Sequence, residues 1–382
     1  MRTPFRFLPS SARQQPMQRI LGQTRAIETL AAALRCGRLQ HAWIFAGPRG
    51  VGKFTTAIEF AKILLDPNAV VDPSGALAAD PQSETTRLIN ARAHADLHVI
   101  YKELALYSEN PAVRDRKLQN IPLDVIREHM IGGRTGDGRF HEPAVYKTAV
   151  LGHGKVFIID EAELLAHGSN EAQNALLKTL EEPPPRTYIF LITNRPQRLL
   201  LTILSRCQHV QFTPLDAEAM AAWFQRAALG VDEDERAWIE RFCEGSPGMA
   251  QLAADYGFCR WQMALEPMLG ELQQGSFPTE MGNTLAELIE TFATSWVKQH
   301  ENASKDAANK DGARHLLAIL AAHARRKLAS RIDEDEDPTI WLEVIDLLRE
   351  AERQLDANVN LKLLLENLVV QWAALAAEPV RS

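Results

Sequence analysis

Residues 47–55 are Gly47, Pro48, Arg49, Gly50, Val51, Gly52, Lys53, Phe54 and Thr55, and the first seven fit the phosphate-binding pattern G-x-x-x-x-G-K. Successive backbone N–H groups in a glycine-rich turn, backed by a helix N-terminus, attract phosphate oxygens. Gly47 and Gly52 permit the turn, and Lys53 sets a point charge against terminal phosphates. The pattern's eighth residue is Ser or Thr, whose hydroxyl is an oxygen ligand for Mg²⁺; here it is Phe54. A phenyl ring offers no ligand and needs more volume. Thr55 lies one residue on, turned about 100° around a helix, so it substitutes only in a rearranged loop. The bland alternative is a glycine-rich connector that binds nothing.

Three further positions carry chemistry. Asp160 and Glu161 follow the apolar run VFII. An aspartate at a strand's end can hold a Mg²⁺ shell, and the neighbouring glutamate can orient and activate a water. The plainer alternative is a solvated acidic strand end. Asn194 ends the next apolar run, where its amide can reach a terminal phosphate or the water; asparagines there are also common turn formers. Arg206, in ILSRCQ, falls between a helix and a strand. A guanidinium projecting from a domain edge can stabilise charge on a phosphoryl group in a neighbour's site. It can equally form a surface salt bridge.

These residues need a scaffold, and the hydropathy pattern supplies one. HAWIFAG (41–47) is a short buried strand that feeds the loop, and TAIEFAKILL (56–65) is a helix stopped by Pro67. Strand, glycine-rich loop and helix are the context a phosphate loop requires. LHVIYK (97–102), KVFIIDEAELL (155–165), TYIFLITN (187–194) and HVQF (209–212) read as further strands. Helices are expected over 20–35, 121–130, 169–185 with Ser169 or Asn170 as cap, and 198–207, while GGRTGDGRF (132–140) reads as a flexible loop. Apolar strands alternating with helices imply an α/β fold with a parallel sheet covered on both faces. Beyond Pro214 the strand signals fade. Three or four helices are expected over 216–257, and helix from about 284 to the end, with a solvated acidic loop at 333–337. In 360–377 the apolar stripe is wide enough to need neighbours on more than one side.

The 382 residues imply two or three domains. A hydrophobic content of 46% and a charged content of 24% exclude disordered and fibrous classes. The net charge of −7 argues against wrapping DNA through an overall field. Four cysteines with no C-x-x-C pair argue against a disulfide framework or a cysteine-rich zinc site. No run approaches 18 apolar residues, so no membrane span is expected. Residues 1–19, basic and free of acids, read as a short leader arm on a cytoplasmic protein.

Four stretches together, GRLQHAWIFAGPRGVGK, VFIIDEAELL, NALLKTLEEPPPRTYIFLITNRPQRLLLTILSRCQ and NVNLKLLLENLV, resemble the bacterial clamp-loader AAA+ family. Within it the delta-prime branch is the nearest and the gamma/tau branch the next. The resemblance covers about residues 20–250 and the helix around 358–369. It implies an AAA+ P-loop domain over 20–213, a small helical lid domain over 214–275 and a C-terminal helical collar over 276–382. It implies a five-membered ring with gamma/tau and delta types of subunit, which acts in DNA replication on a sliding clamp and primer-template DNA. A delta-prime-type member is a stator with weak or no ATPase of its own; the alternatives are a gamma-type motor that hydrolyses ATP, or another DNA-associated AAA+ ATPase. On this resemblance Arg206 is the arginine of the family's S-R-C motif, lent in trans to a neighbour's ATP. Asp160 would hold Mg²⁺ if nucleotide binds, and Glu161 and Asn194 would act on the water.

The chain departs from the family in four places. Phe54 replaces the metal-ligating hydroxyl. Residues 66–95 contain no cysteine where many members carry a zinc module, so no zinc is expected; His94 and His98 are read as core or surface histidines. Gly245-Ser246 is followed by Pro247 and Gly248, so the phosphate-sensing arginine of active members is missing. Residues 131–154 are longer than the family pattern accounts for.

Overall fold

The computed structural model describes residues 20–36, 39–67, 69, 79–116, 118–166, 170–300, 303–335, 337–357 and 359–377. The arm expected at 1–19 and the cap expected at Ser169 lie outside them. The chain divides into two compact units, residues 1–228 with 245–249, and residues 229–244 with 250–382.

Among the described residues the first unit has seven strands: β1 (Ala42–Ala46), β2 (Leu97–Ile100), β3 (Gly133–Arg134), β4 (Phe140–His141), β5 (Lys155–Ile159), β6 (Thr187–Thr193) and β7 (Gln208–Gln211). Five form one sheet in the order β2-β5-β6-β1-β7, every pair parallel. β1 and β5 are buried at all five positions, which is why they read as continuous apolar runs rather than alternating ones. Side chains still alternate between the two faces. Ile44, Phe157, Ile159, Ile189 and Leu191 join one core cluster with Leu176 and Val125. On the opposite face Phe45 and Phe190 lie 5.4 Å apart, and Phe60 packs edge-on to Phe190 at 5.8 Å.

Three helices position the site. α1 (Thr24–Arg35) precedes β1, α2 (Lys53–Leu65) follows the loop, and α3 (Glu171–Glu181) lies between β5 and β6. α2 begins at Lys53 rather than at residue 56, because Gly52 in left-handed conformation is its N-cap. Asn170 occupies the N-cap of α3 without a side-chain cap bond.

The run expected as one strand over 155–165 stops at Ile159. Glu161 turns the chain with φ of 52°, and Ala162–Ala166 form a 3₁₀ turn. The helix expected over 121–130 is a four-residue α-turn, Leu123–Ile126, widened to π geometry over Arg127–Ile131. The glycine-rich loop at 132–140 contains the two-stranded hairpin β3–β4. Its extension to residue 154 is tied down by two buried charges. Asp96 accepts the amides of Val150 and Leu151 at 2.7 and 2.8 Å, and Lys155 Nζ donates to the carbonyls of Ala144, at 2.6 Å, and Lys147.

The second unit is helical. It includes Glu233–Phe242, Phe258–Gln273, Met281–Gln299, Lys305–Asp333, Thr339–Asp356 and Leu361–Ala377. Phe258, Trp261, Phe292 and His315 form its aromatic centre, with ring centroids 5.0 to 6.3 Å apart. In the last helix Leu364, Leu365, Leu368, Val369 and Trp372 are buried, while Leu363 and Val370 stay exposed. Among the described residues no helix is long and apolar enough to cross a membrane.

Candidate nucleotide site and a separate arginine edge

The phosphate-loop pattern lies at the carboxyl edge of the sheet, the side from which parallel α/β sheets take ligands. Gly47 has φ of 153°, and a Cβ there would meet the carbonyl oxygen of Phe212 at 2.3 Å. The loop's carbonyls are all claimed. Lys53 Nζ donates to Gly47 O at 2.7 Å and to Pro48 O. Ser246 Oγ donates to Arg49 O at 2.9 Å, and the Gly248 amide to Gly50 O at 2.9 Å. Gln23 Nε2 donates to Val51 O at 3.1 Å, and Thr56 donates to Gly52 O through both amide and hydroxyl. The amides of Arg49 and Gly50 take no part in the bonds that hold the loop to its neighbours. N–H groups left unpaired in a tight turn form a concavity for an anion.

Lys53 is buried and serves as the hub. Besides the loop carbonyls, its Nζ donates to Asn194 Oδ1 at 3.2 Å, and Asn194 Nδ2 donates to Glu163 Oε1 at 3.0 Å. Burial pulls the Lys53 pKa down to about 8; Glu163 and then Asp160 oppose the shift, and Arg49 adds to it. Glu163 was not singled out from the sequence, yet it is 6% exposed and its Oε2 has no partner among the described residues. The 3₁₀ turn after β5 carries it inward, a turn that VFIIDEAELL masks because its apolar residues read as more strand. Asp160 accepts the Glu161 amide at 3.0 Å. Glu161 Oε2 pairs with Lys102 Nζ at 3.5 Å, a second residue missed in the sequence.

The donor set fits phosphate better than metal. Free amides and a nearby ammonium suit a phosphate. Asp160 and the orphaned Glu163 oxygen could face a cation, but Phe54 is a half-buried phenyl, Thr55 points to solvent and the Thr56 hydroxyl is spent on Gly52 O. The hydroxyl ligand for Mg²⁺ is therefore missing from the set. Gly248 supplies no side chain, and none fits: a Cβ there would lie 2.7 Å from Gly50 Cα.

Arg206 lies elsewhere. It precedes β7, whose first residue Gln208 pairs with Trp43 near the start of β1. The loop follows the end of β1, so the length of that five-residue strand, roughly 15 Å, separates them. Lys53, Asp160, Glu161 and Asn194 gather at the carboxyl edge, and Arg206 stands at the amino edge. There Arg206 Nη2 pairs with Glu181 Oε1 at 2.6 Å, and Nη1 donates to Thr202 O at 2.8 Å. The segment bearing it is held by Gln173, fully buried: its Nε2 donates to Arg198 O at 3.1 Å and its Oε1 accepts the Leu200 amide at 2.8 Å. The thiol of Cys207 is buried, which pushes its pKa up to about 12 and leaves it a packing residue.

His94 is buried and accepts the Asp96 amide at 3.2 Å, while His98 stacks on Phe157 at 4.6 Å. Among the described residues no group of His, Cys, Asp and Glu has the arrangement of a metal centre.

Residues 22–216 match the family model described as DNA polymerase III, delta subunit. The chain is 30% identical over 353 residues to the DNA polymerase III subunit delta' of Pseudomonas aeruginosa, covering 89% of this chain and 94% of that one. It is 31% identical over 245 residues to the DNA polymerase III subunit tau of Bacillus subtilis, but that match covers 64% of this chain and 36% of the relative. The subunit delta' of Bacillus subtilis is 29% identical over 198 residues, 52% of this chain and 50% of the relative. The chain thus spans little more than a third of the tau relative's length.

Proposed function

The chain belongs to the family described as DNA polymerase III, delta subunit, and on that premise we propose that it is the delta-prime-type stator of a clamp loader, lending Arg206 to a neighbouring subunit's ATP. The observation that carries this reading is the separation of the two chemistries. Arg206 stands at the amino edge of the sheet and the chain's own phosphate loop at the carboxyl edge. A guanidinium so placed is too far from the loop of its own chain to serve it, so any phosphate it serves would come on a second chain. There it would set N–H donors and a positive charge against the phosphoryl group being transferred.

The chain's own site favours weak nucleotide binding without turnover. Its free amides and Lys53 would hold phosphates; Asp160 would face a Mg²⁺ ion, and Glu161 would orient water beside it. The missing hydroxyl at position 54 weakens the metal shell. The alternative, a gamma-type motor, requires that shell to be complete. The partners are gamma/tau and delta types of subunit in a five-membered ring, with the sliding clamp and primer-template DNA reached through the assembly. Leu363 and Val370, exposed on the last helix, suit a collar between subunits.

The test is Arg206→Ala in the reconstituted loader. Turnover at the site it serves should fall by about 10³-fold or more, so that one site's share of ring ATPase disappears while the purified chain stays folded. Unchanged ring ATPase refutes the trans role. Titrating the purified chain with a fluorescent ATP analogue, with and without Mg²⁺, separates stator from motor: Mg²⁺-dependent turnover by this chain alone would favour the motor.

A further inference from the structure

Arg206 is not idle in the free chain. Its guanidinium is clasped along one edge by the Glu181 carboxylate at 2.6 Å and the Thr202 carbonyl at 2.8 Å. Glu181 is the last residue of α3, the helix whose Gln173 also grips the backbone at Arg198 and Leu200. One helix therefore fixes both the start of the arginine-bearing segment and the charge at its end. The side chains of Arg206 and Glu181 remain 34% and 48% exposed, so an incoming chain can reach the pair.

We propose that Glu181 is a positioning residue, the resting counter-ion of Arg206, and that it sets how strong an anion a second chain must offer before the arginine transfers. The proposal rests on the trans role assigned above. The ligand is the terminal phosphate of a nucleoside triphosphate held on the neighbour. No bond is made or broken; the guanidinium exchanges one anionic partner for another. An exposed ion pair resists opening by no more than about 1 kcal/mol, equivalent to a factor of about five at 1.4 kcal/mol per tenfold. A multiply charged phosphate in a closing interface displaces a single carboxylate, because charge-assisted bonds strengthen as water leaves. The displaced carboxylate stays close and repels the phosphate. Glu181 thus acts against engagement twice, as competitor and as like charge.

The test compares Glu181→Gln, Arg206→Ala and the double variant in the reconstituted loader, with KM for ATP and kcat read separately. Glu181→Gln should lower KM at the served site by up to about fivefold and leave kcat within about twofold, and Arg206→Ala should abolish the difference. Glu181→Asp, which keeps the charge, should stay near the wild type. In the purified chain, modification of Arg206 by phenylglyoxal, followed by peptide mass, should quicken in Glu181→Gln. An unchanged or raised KM, or a fall in kcat shared by the Gln and Asp variants, overturns the proposal. If Arg206→Ala itself leaves ring ATPase untouched, the trans role fails first, and the clasp has nothing to regulate.

Discussion

An alanine at Gly248 would bring its Cβ to 2.7 Å from Gly50 Cα and 3.2 Å from Gly50 O. Both are backbone atoms, so no side chain can swing aside. Overpacking of this kind costs about 1–3 kcal/mol. The Gly248 amide bond to Gly50 O, 2.9 Å, must lengthen as the segments part, a further ~0.5–1.5 kcal/mol. Alanine's better helix propensity returns at most about 1 kcal/mol, and less in the first turn of Pro247–Tyr256. The balance is a loss of about 1–4 kcal/mol, which lowers Tm by about 2–16 °C for a unit of this size. Calorimetry is the assay, because two units can melt separately and a single midpoint would blend them. Gly270→Ala is the control: it lies in helix Phe258–Gln273 with nothing within 4 Å of its Cβ position, and it should gain up to about 1 kcal/mol. If Gly248→Ala melts at or above the wild type while Gly270→Ala behaves as expected, the Gly248–Gly50 brace does not hold the loop.

Lys53 gives a pH signature. Its folded pKa of about 8 lies below the ordinary 10.5, so between those values the unfolded chain carries a proton that the folded chain has released. Stability from this group therefore rises with pH across that window, by up to about 1.4 kcal/mol per pH unit, and below pH 8 the burial penalty is complete. Unfolding free energies of wild type and Lys53→Met, compared from pH 7.5 to about 10.5, should diverge accordingly; a flat difference refutes the shift. Phe54→Ser restores a hydroxyl to the loop and should tighten Mg²⁺-dependent binding of a fluorescent ATP analogue on the order of tenfold, about 1.4 kcal/mol. No gain would mean that the metal shell is not what limits binding. Gln173→Leu strips two backbone partners from the arginine-bearing segment and should destabilise by about 1–3 kcal/mol for each; denaturant unfolding with an unchanged midpoint would show that Gln173 is no clamp.

Sheet and loop were legible because their signals are local. β1, β5 and β6 are apolar runs that only a strand buried on both faces needs, and Gly47, Gly52 and Lys53 carry the loop on their own spacing. What escaped the sequence depends on distant partners. Asp96 and Lys155 look like surface charges, yet they are 1% and 4% exposed and anchor the extension at 144–151 through its backbone. Glu163 enters the site only because the chain leaves extended geometry at Glu161. Helix Phe258–Gln273 has Pro267 within it, which breaks the periodic signal, so only the family resemblance, with its helical region over 214–275, reached it. Arg206 was legible as a residue, but its separation from Lys53 follows from the parallel pairing of β7 with β1, which no local pattern encodes.

The turn at 47–52 has a packing role that does not depend on a hydroxyl at position 54. Through Gln23 the loop is bonded to the residue that precedes α1, and Gln23 also donates to Thr213 O at 2.7 Å, beyond β7. Through Ser246 and Gly248 it is bonded to the segment 245–249. Its glycines let three stretches far apart in sequence close on one turn through bonds made between protein groups. Loss of a metal ligand at position 54 leaves every one of these bonds intact. The loop therefore has a packing role that is independent of the side chain at position 54, whereas the side chain of Arg206, part-exposed at the other edge of the sheet, bonds to Glu181, Thr202 and Ser205.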